Sequence, residues 1–210
     1  MIDKDNNLDN QRIGVYGGSY GGYMVLASMT HYNDRLSAAV DVVGISNFVT
    51  FLKNTKSYRR DLRRSEYGDE RIPEMRKYLN QISPNNNAEK ITKPIFIVQG
   101  YNDPRVPYTE AEQMRDIIRS NGGDVWYMVA MDEGHGFRKH FNRAYYINAV
   151  SVFFKKQVEK HCLKVEYFFV ASINDLIPVS KLEFNKKYRF FVAVFAGKTR
   201  LIDTIELNRK

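Results

Sequence analysis

Arg12-Ile13-Gly14-Val15-Tyr16-Gly17-Gly18-Ser19-Tyr20-Gly21-Gly22-Tyr23-Met24 is the stretch that decides how this chain reads. Ile13 to Tyr16 has the apolar character of a short buried strand, and Met24 to Met29 opens an apolar helix. Ser19 lies between them, with two glycines on each side. Gly17-Gly18-Ser19-Tyr20-Gly21 fits the nucleophile-elbow pattern of glycine, any residue, serine, any residue, glycine. A strand that turns directly into a helix forces the serine into a strained backbone conformation. Side chains at the flanking positions would collide, which glycine avoids. The amide of Tyr20 then stands at the helix start, where unpaired N–H groups favour developing negative charge. Taken alone, the glycine-serine segment also suits a flexible loop. The strand before it and the helix after it supply the context that the elbow requires.

Working outward, residues 1–11 are polar and read as a loop into strand Arg12–Tyr16, and the helix after Ser19 runs to about His31. Asn33-Asp34-Arg35 is a turn, and Ala38–Val43 a second apolar strand. Strand, helix, strand within about 30 residues predicts a βαβ unit and a parallel sheet. Residues 45–93 form a longer helical excursion, with Phe48, Phe51 and Leu52 on one face and a basic run at Arg59, Arg60, Arg63 and Arg64. Such a run reads as a solvated helix face, the alternative being an anion contact. Ile95-Phe96-Ile97-Val98 is a strand covered on both faces. After a turn-rich loop, Thr109 and Glu112 form a plausible capping box, followed by an inward stripe of Ala111, Met114, Ile117 and Ile118. Val125–Met131 is the fourth strand, and Asn142–Lys160 the last helix. Beyond it three β-rich segments, Val165–Ala171, Tyr188–Phe195 and Leu201–Leu207, carry no catalytic pattern. Ala196-Gly197-Lys198-Thr199 would turn the last two into a hairpin.

Composition bounds the class. The chain has 210 residues, enough for one sizeable core, or for one domain plus an extension, and a formal charge of +8. Its basic residues are spread along the chain without a nucleic-acid-binding motif, so the charge reads as a solubilising surface and not as a nucleic-acid footprint. Cys162 is the one cysteine, so no intramolecular disulfide holds the fold. No segment approaches the roughly 20 apolar residues of a membrane span. The N-terminus lacks a signal-peptide core. These features favour the cytoplasm without fixing the compartment.

A serine hydroxyl becomes a nucleophile when a base removes its proton, and the base needs a carboxylate to hold its tautomer. In a parallel sheet all strand C-termini share one edge. Ser19 follows the first strand, Asp103 the third and His135 the fourth, which places all three on that edge. Their order, serine, acid, histidine, is that of α/β-hydrolases. By itself Asp103, which precedes a proline, could be a turn residue, and His135, between Gly134 and Gly136, an exposed loop histidine. Asp132 and Glu133 are alternative acids on the histidine's own loop, and His31, His140 and His161 do not follow strands. No paired His or Cys spacing of a metal site occurs, and no cofactor is expected.

Three segments carry a family resemblance. From about Asp9 to Lys160 the chain resembles the C-terminal part of a prolyl oligopeptidase family (serine peptidase S9) catalytic domain, of the acylaminoacyl-peptidase and dipeptidyl-peptidase IV type. Gly17–Gly22 resembles the family's nucleophile segment, Asn102-Asp103-Pro104-Arg105-Val106-Pro107 its acid loop, and Glu133-Gly134-His135-Gly136-Phe137 its histidine loop. Ser83-Pro84 and Glu66-Tyr67-Gly68-Asp69 are similar to landmarks outside the triad.

The resemblance implies an α/β-hydrolase fold: an N-terminally truncated parallel sheet flanked by helices over residues 1–161, with a β-rich tail over 162–210. It implies hydrolysis of peptide or acyl-peptide substrates through an acyl-enzyme on Ser19, with His135 as base, Asp103 orienting it and the Tyr20 amide as one oxyanion donor. The family places further strands, a second oxyanion donor and a propeller segment upstream of the nucleophile strand, and this chain starts just before that strand. The expectations are therefore a bare apolar edge at the first strand, a half-sheet that is poorly soluble or that needs a partner such as the propeller segment or a second copy, and turnover lowered about a hundredfold or more. A carboxylesterase or a non-catalytic remnant are the alternative readings.

Overall fold

The computed structural model describes residues 9–160, 163–173, 175–179, 187–196 and 199–207. Cys162, His161, the first residues of the expected leading loop and residues 197–198 of the expected turn lie outside them. The chain divides into two compact units, Met1–Val150 and Ser151–Lys210.

In the first unit four parallel strands, β1 (Gly14–Gly18), β2 (Ala38–Val42), β3 (Ile95–Gly100) and β4 (Val125–Ala130), stand side by side in chain order. β2 and β3 are buried at every position, as their unbroken apolar runs require of strands covered on both faces. Between them run α1 (Tyr20–His31), α2 (Phe48–Asn54), α3 (Ser57–Tyr67), α4 (Pro73–Ile82) and α5 (Tyr108–Ser120), and α6 begins at His140 and extends to Lys160. Alternation along β3 sends Ile95 and Ile97 to one face, where they meet Val25, Leu26 and Met29 of α1 and Met114 and Ile118 of α5. Burying a side chain such as Leu26 or Met29 completely contributes roughly 1.5–3 kcal/mol. A second cluster gathers Phe48, Phe51 and Leu52 of α2, Leu79 of α4 and Val106.

Four local expectations are corrected. The first strand runs Gly14–Gly18 rather than Arg12–Tyr16, because its ladder to β2 pairs Gly14 with Ala38 and Gly18 with Val42. It is an edge strand among the described residues, and Tyr16 is 58% exposed rather than buried. The Thr109–Glu112 capping box does not form. α5 starts one residue earlier, with Pro107 at the N-cap and no side-chain cap bond, because proline's fixed backbone angle already sets the helix entry. The basic run on α3 is not a plain solvated face. Tyr58 and Leu62 point outward, 74% and 60% exposed, while the arginines are half-buried. Arg64 forks onto the fully buried Glu70 at 3.0 and 2.5 Å, Arg63 pairs with Glu66, and Arg60 donates to the Thr55 carbonyl. A buried carboxylate requires a cation, and long arginine stems pack while their heads reach it. The fourth difference lies in the packing of the glycines around Ser19.

The second unit contains the C-terminal end of α6 and a three-stranded antiparallel sheet, β5 (Leu163–Ser172), β6 (Tyr188–Ala196) and β7 (Thr199–Leu207), in that order. Ala196 stands opposite Thr199. Among the described residues no helix is long and apolar enough to cross a membrane.

Candidate active site

β1 ends at Gly18 and α1 begins at Tyr20, so a single residue, Ser19, makes the turn. It does so with φ 60° and ψ −119°, the strained conformation that the sharp reversal demands. The steric need for glycine falls on positions 17 and 22. A Cβ on Gly17 would lie 2.3 Å from the Gly21 carbonyl oxygen, and one on Gly22 would lie 2.3 Å from Asp41 Oδ1. Gly18 would meet only ordinary contacts and Gly21 none, which corrects the expectation that all the flanking positions exclude side chains. Backbone bonds complete the elbow: the Ser19 N–H donates to the Val42 carbonyl at 2.9 Å, and the Gly22 N–H to the Ser19 carbonyl at 2.9 Å.

The parallel sheet brings the other two residues to the same edge. His135 Nε2 lies 2.9 Å from Ser19 Oγ, and His135 Nδ1 lies 2.7 Å from Asp103 Oδ2. The Asp103 side chain is fully buried and that of His135 is 13% exposed. Asp103 Oδ1 accepts the amides of Arg105 and Val106 at 2.7 and 3.1 Å. With an ionised acid as partner, Nδ1 carries the proton and Nε2 is left to accept from the serine hydroxyl.

The loops after β3 and β4 are joined to each other. Asn102 donates its amide to the Glu133 carbonyl at 2.9 Å and its side chain to the Met131 carbonyl at 2.8 Å. Gly100 permits the approach, since a Cβ there would sit 2.1 Å from the Gly134 carbonyl oxygen. Neither alternative acid reaches the histidine. Glu133 turns away to accept the Arg138 and Lys139 amides and Asn142 Nδ2, and Asp132 pairs with Lys139 and Asn142.

Gln99, Tyr23 and Glu110 were not singled out from the sequence. Gln99, buried at the end of β3, donates to the Val106 carbonyl at 3.1 Å and to Asp103 Oδ2 at 3.4 Å. A polar residue closing an apolar run was its one visible signal. Tyr20 stacks on Tyr67 at 6.0 Å, and Tyr23, Phe48 and Phe51 extend the group into an aromatic wall beside Ser19. Burial raises the Tyr23 and Tyr67 phenols above the usual range, so both remain neutral donors. Glu110, buried under α2, accepts from Ser46, Asn47 and Thr50, and burial raises its carboxyl as well. A cavity of about 750 Å³ lies along β4, lined by Phe96, Trp126, Met128 and Tyr145, and none of the three residues of the relay lines it.

A parallel sheet flanked by helices, with a serine elbow after one strand and an acid and a histidine after later ones, is the α/β-hydrolase fold. Residues 1–161 match the prolyl oligopeptidase family, and the chain belongs to that family of serine peptidases. It is 37% identical over 158 residues to dipeptidyl aminopeptidase BIII of Pseudoxanthomonas mexicana, a match covering 73% of this chain and 23% of that protein. Among solved structures it resembles the acylaminoacyl peptidase of Pyrococcus horikoshii (TM-score 0.68, 21% identity, 74% of this chain and 26% of that one). It also resembles a Mycobacterium tuberculosis puromycin-hydrolysing peptidase (TM-score 0.66, 27% identity, 71% of this chain and 22% of that one). The chain thus spans about a quarter of the length of these relatives.

Proposed function

We propose that the chain carries the acylating machinery of a serine peptidase that cleaves peptide or acyl-peptide bonds, with residues 1–161 as the hydrolase part and 162–210 as an appended element. One observation carries this reading: the unbroken relay from Ser19 Oγ through His135 to Asp103, at 2.9 and 2.7 Å. Ser19 Oγ attacks the scissile carbonyl while His135 Nε2 takes its proton. Asp103 holds the ring and stabilises the imidazolium. The oxyanion is assigned to the Tyr20 N–H, the first amide of α1, which has no intrahelical partner and lies at the positive end of the helix dipole. His135 then returns the proton to the leaving amine, which departs as the acyl-enzyme forms. Water, deprotonated by the same nitrogen, attacks the ester and regenerates Ser19. The names of the relatives support a peptide or acyl-peptide substrate, and the aromatic wall at Tyr20, Tyr23 and Tyr67 offers it an apolar contact next to the nucleophile.

A fluorophosphonate probe tests the reading. Covalent labelling that disappears in Ser19→Ala is expected. Folded protein that takes no label would overturn it in favour of a non-catalytic remnant. Turnover of p-nitrophenyl esters with none of acylated peptide anilides would point instead to a carboxylesterase.

A further inference from the structure

Behind the elbow the fold buries a carboxyl group that hydrolysis does not use. Asp41 sits one residue before the C-terminal end of β2, 1% exposed, with Gly17 of β1 and Ile97 of β3 as its register partners. Its Oδ1 has no hydrogen-bond partner among the described residues. A Cβ on Gly22 would lie 2.3 Å from that oxygen and one on Gly44 2.1 Å. The carboxyl therefore packs against the first turn of α1 and against the turn that follows β2.

Both turns bear on Ser19. The Gly22 amide is bonded to the Ser19 carbonyl, and the Ser19 amide to the carbonyl of Val42, next in chain to Asp41. Val43 follows with φ 50°, a conformation unfavourable for a β-branched residue, and its amide is tied to the Val98 carbonyl at 2.8 Å. One peptide hydrogen bond thus joins the segments of two left-handed residues, Ser19 and Val43, with Asp41 wedged against both.

We propose that Asp41 is a positioning residue for Ser19, filling the space between α1 and the Val43–Gly44 turn in its uncharged form and so keeping the serine hydroxyl in line with His135. The inference rests on the reading of Ser19 as the nucleophile. An ionised carboxylate in that place would be a buried charge with one oxygen unpartnered, which is costly. Burial pushes the Asp41 carboxyl up to about 7, opposed in part by the Gly44 amide. The residues set against it, Gly17, Gly22, Gly44 and Ile97, do not titrate. Tyr23, next on α1 after Gly22, responds to burial and then to Tyr20 and Tyr78. The proton on Asp41 is therefore governed by its enclosure, and its loss disturbs the elbow.

The experiment compares fluorophosphonate labelling rates of the full chain and of Asp41→Asn, which keeps shape but cannot ionise, from pH 5 to 9. The original chain should show a fall on the alkaline side that Asp41→Asn lacks, the two differing about tenfold one pH unit above the Asp41 midpoint. Superimposable profiles from two folded proteins would overturn the proposal. A second measurement covers an Asp41→Asn protein that fails to fold or a chain that takes no label. In the unmodified protein the backbone amide NMR signals of Ser19 and Gly22 should titrate with a midpoint near that of the Asp41 carboxyl. Amides that do not move overturn the coupling. Titrating amides without any labelling would remove the hydrolase reading and leave the coupling in place.

Discussion

Ser19 is presented by a backbone held at φ 60° and packed so closely that a methyl group at Gly17 or Gly22 would overlap neighbouring atoms. His135 is presented by a loop that is tied down by hydrogen bonds, from Asn102 to the Glu133 and Met131 carbonyls and from the Arg138 and Lys139 amides, just before α6, to the Glu133 carboxylate. The two sides of the relay are therefore vulnerable to different damage. The elbow stores strain and tolerates no added volume at Gly17 or Gly22. The histidine loop tolerates volume better and depends on polar partners.

Removing the serine or the histidine of the relay should have the largest effect. Ser19→Ala or His135→Ala should lower probe labelling by three or more orders of magnitude with little change in the urea midpoint, since such residues act as a unit. Equal labelling in the histidine variant would break the relay.

Next comes the acid beneath the elbow. The folded chain holds a proton on Asp41 up to about pH 7, whereas the unfolded chain releases it near 3.8. The native state thus binds the extra proton between these values, so stability is fullest below about pH 4 and declines as pH rises through 7. The full decline is on the order of 4 kcal/mol. Urea midpoints measured at pH 4.5 and 8 should converge in Asp41→Asn relative to the original chain.

Smaller effects separate the two constructions. Gly22→Ala should destabilise by about 1–3 kcal/mol through overpacking and slow labelling more than tenfold. Glu133→Gln, which weakens the bonds at the start of α6, should cost about 1–2 kcal/mol, and labelling should fall only as far as the loop loosens. Gly21→Ala meets no atom and lies inside α1, so a gain of up to about 1 kcal/mol is expected in thermal unfolding. If Gly21→Ala proved as harmful as Gly22→Ala, the steric account of the elbow would be wrong.

Much of this was legible in the residues. The glycine-serine pattern, the apolar run at Ile95–Val98 and the order of Ser19, Asp103 and His135 announce a parallel sheet with these three residues on one edge, because strand direction alone decides which loops share that edge. The arginines of α3 were misread because charge density along a chain does not reveal a buried partner such as Glu70. The start of α5 was misread because a proline can set a helix entry as well as a threonine. Asp41 was passed over because a single acid in an apolar strand has no periodicity of its own.

Local sequence determined the strands, the helices and the sharp turn at Ser19, since these follow from apolar periodicity and from which residues accept strained backbone. Only the tertiary structure decided that Asp103, not Asp132 or Glu133, meets the histidine. It alone decided that Gly17 and Gly22, not Gly18 and Gly21, are the glycines sterics require, and that an acid lies buried behind Ser19. Such choices depend on distances of a few ångströms between residues far apart in the chain, and those distances exist only once the sheet has assembled.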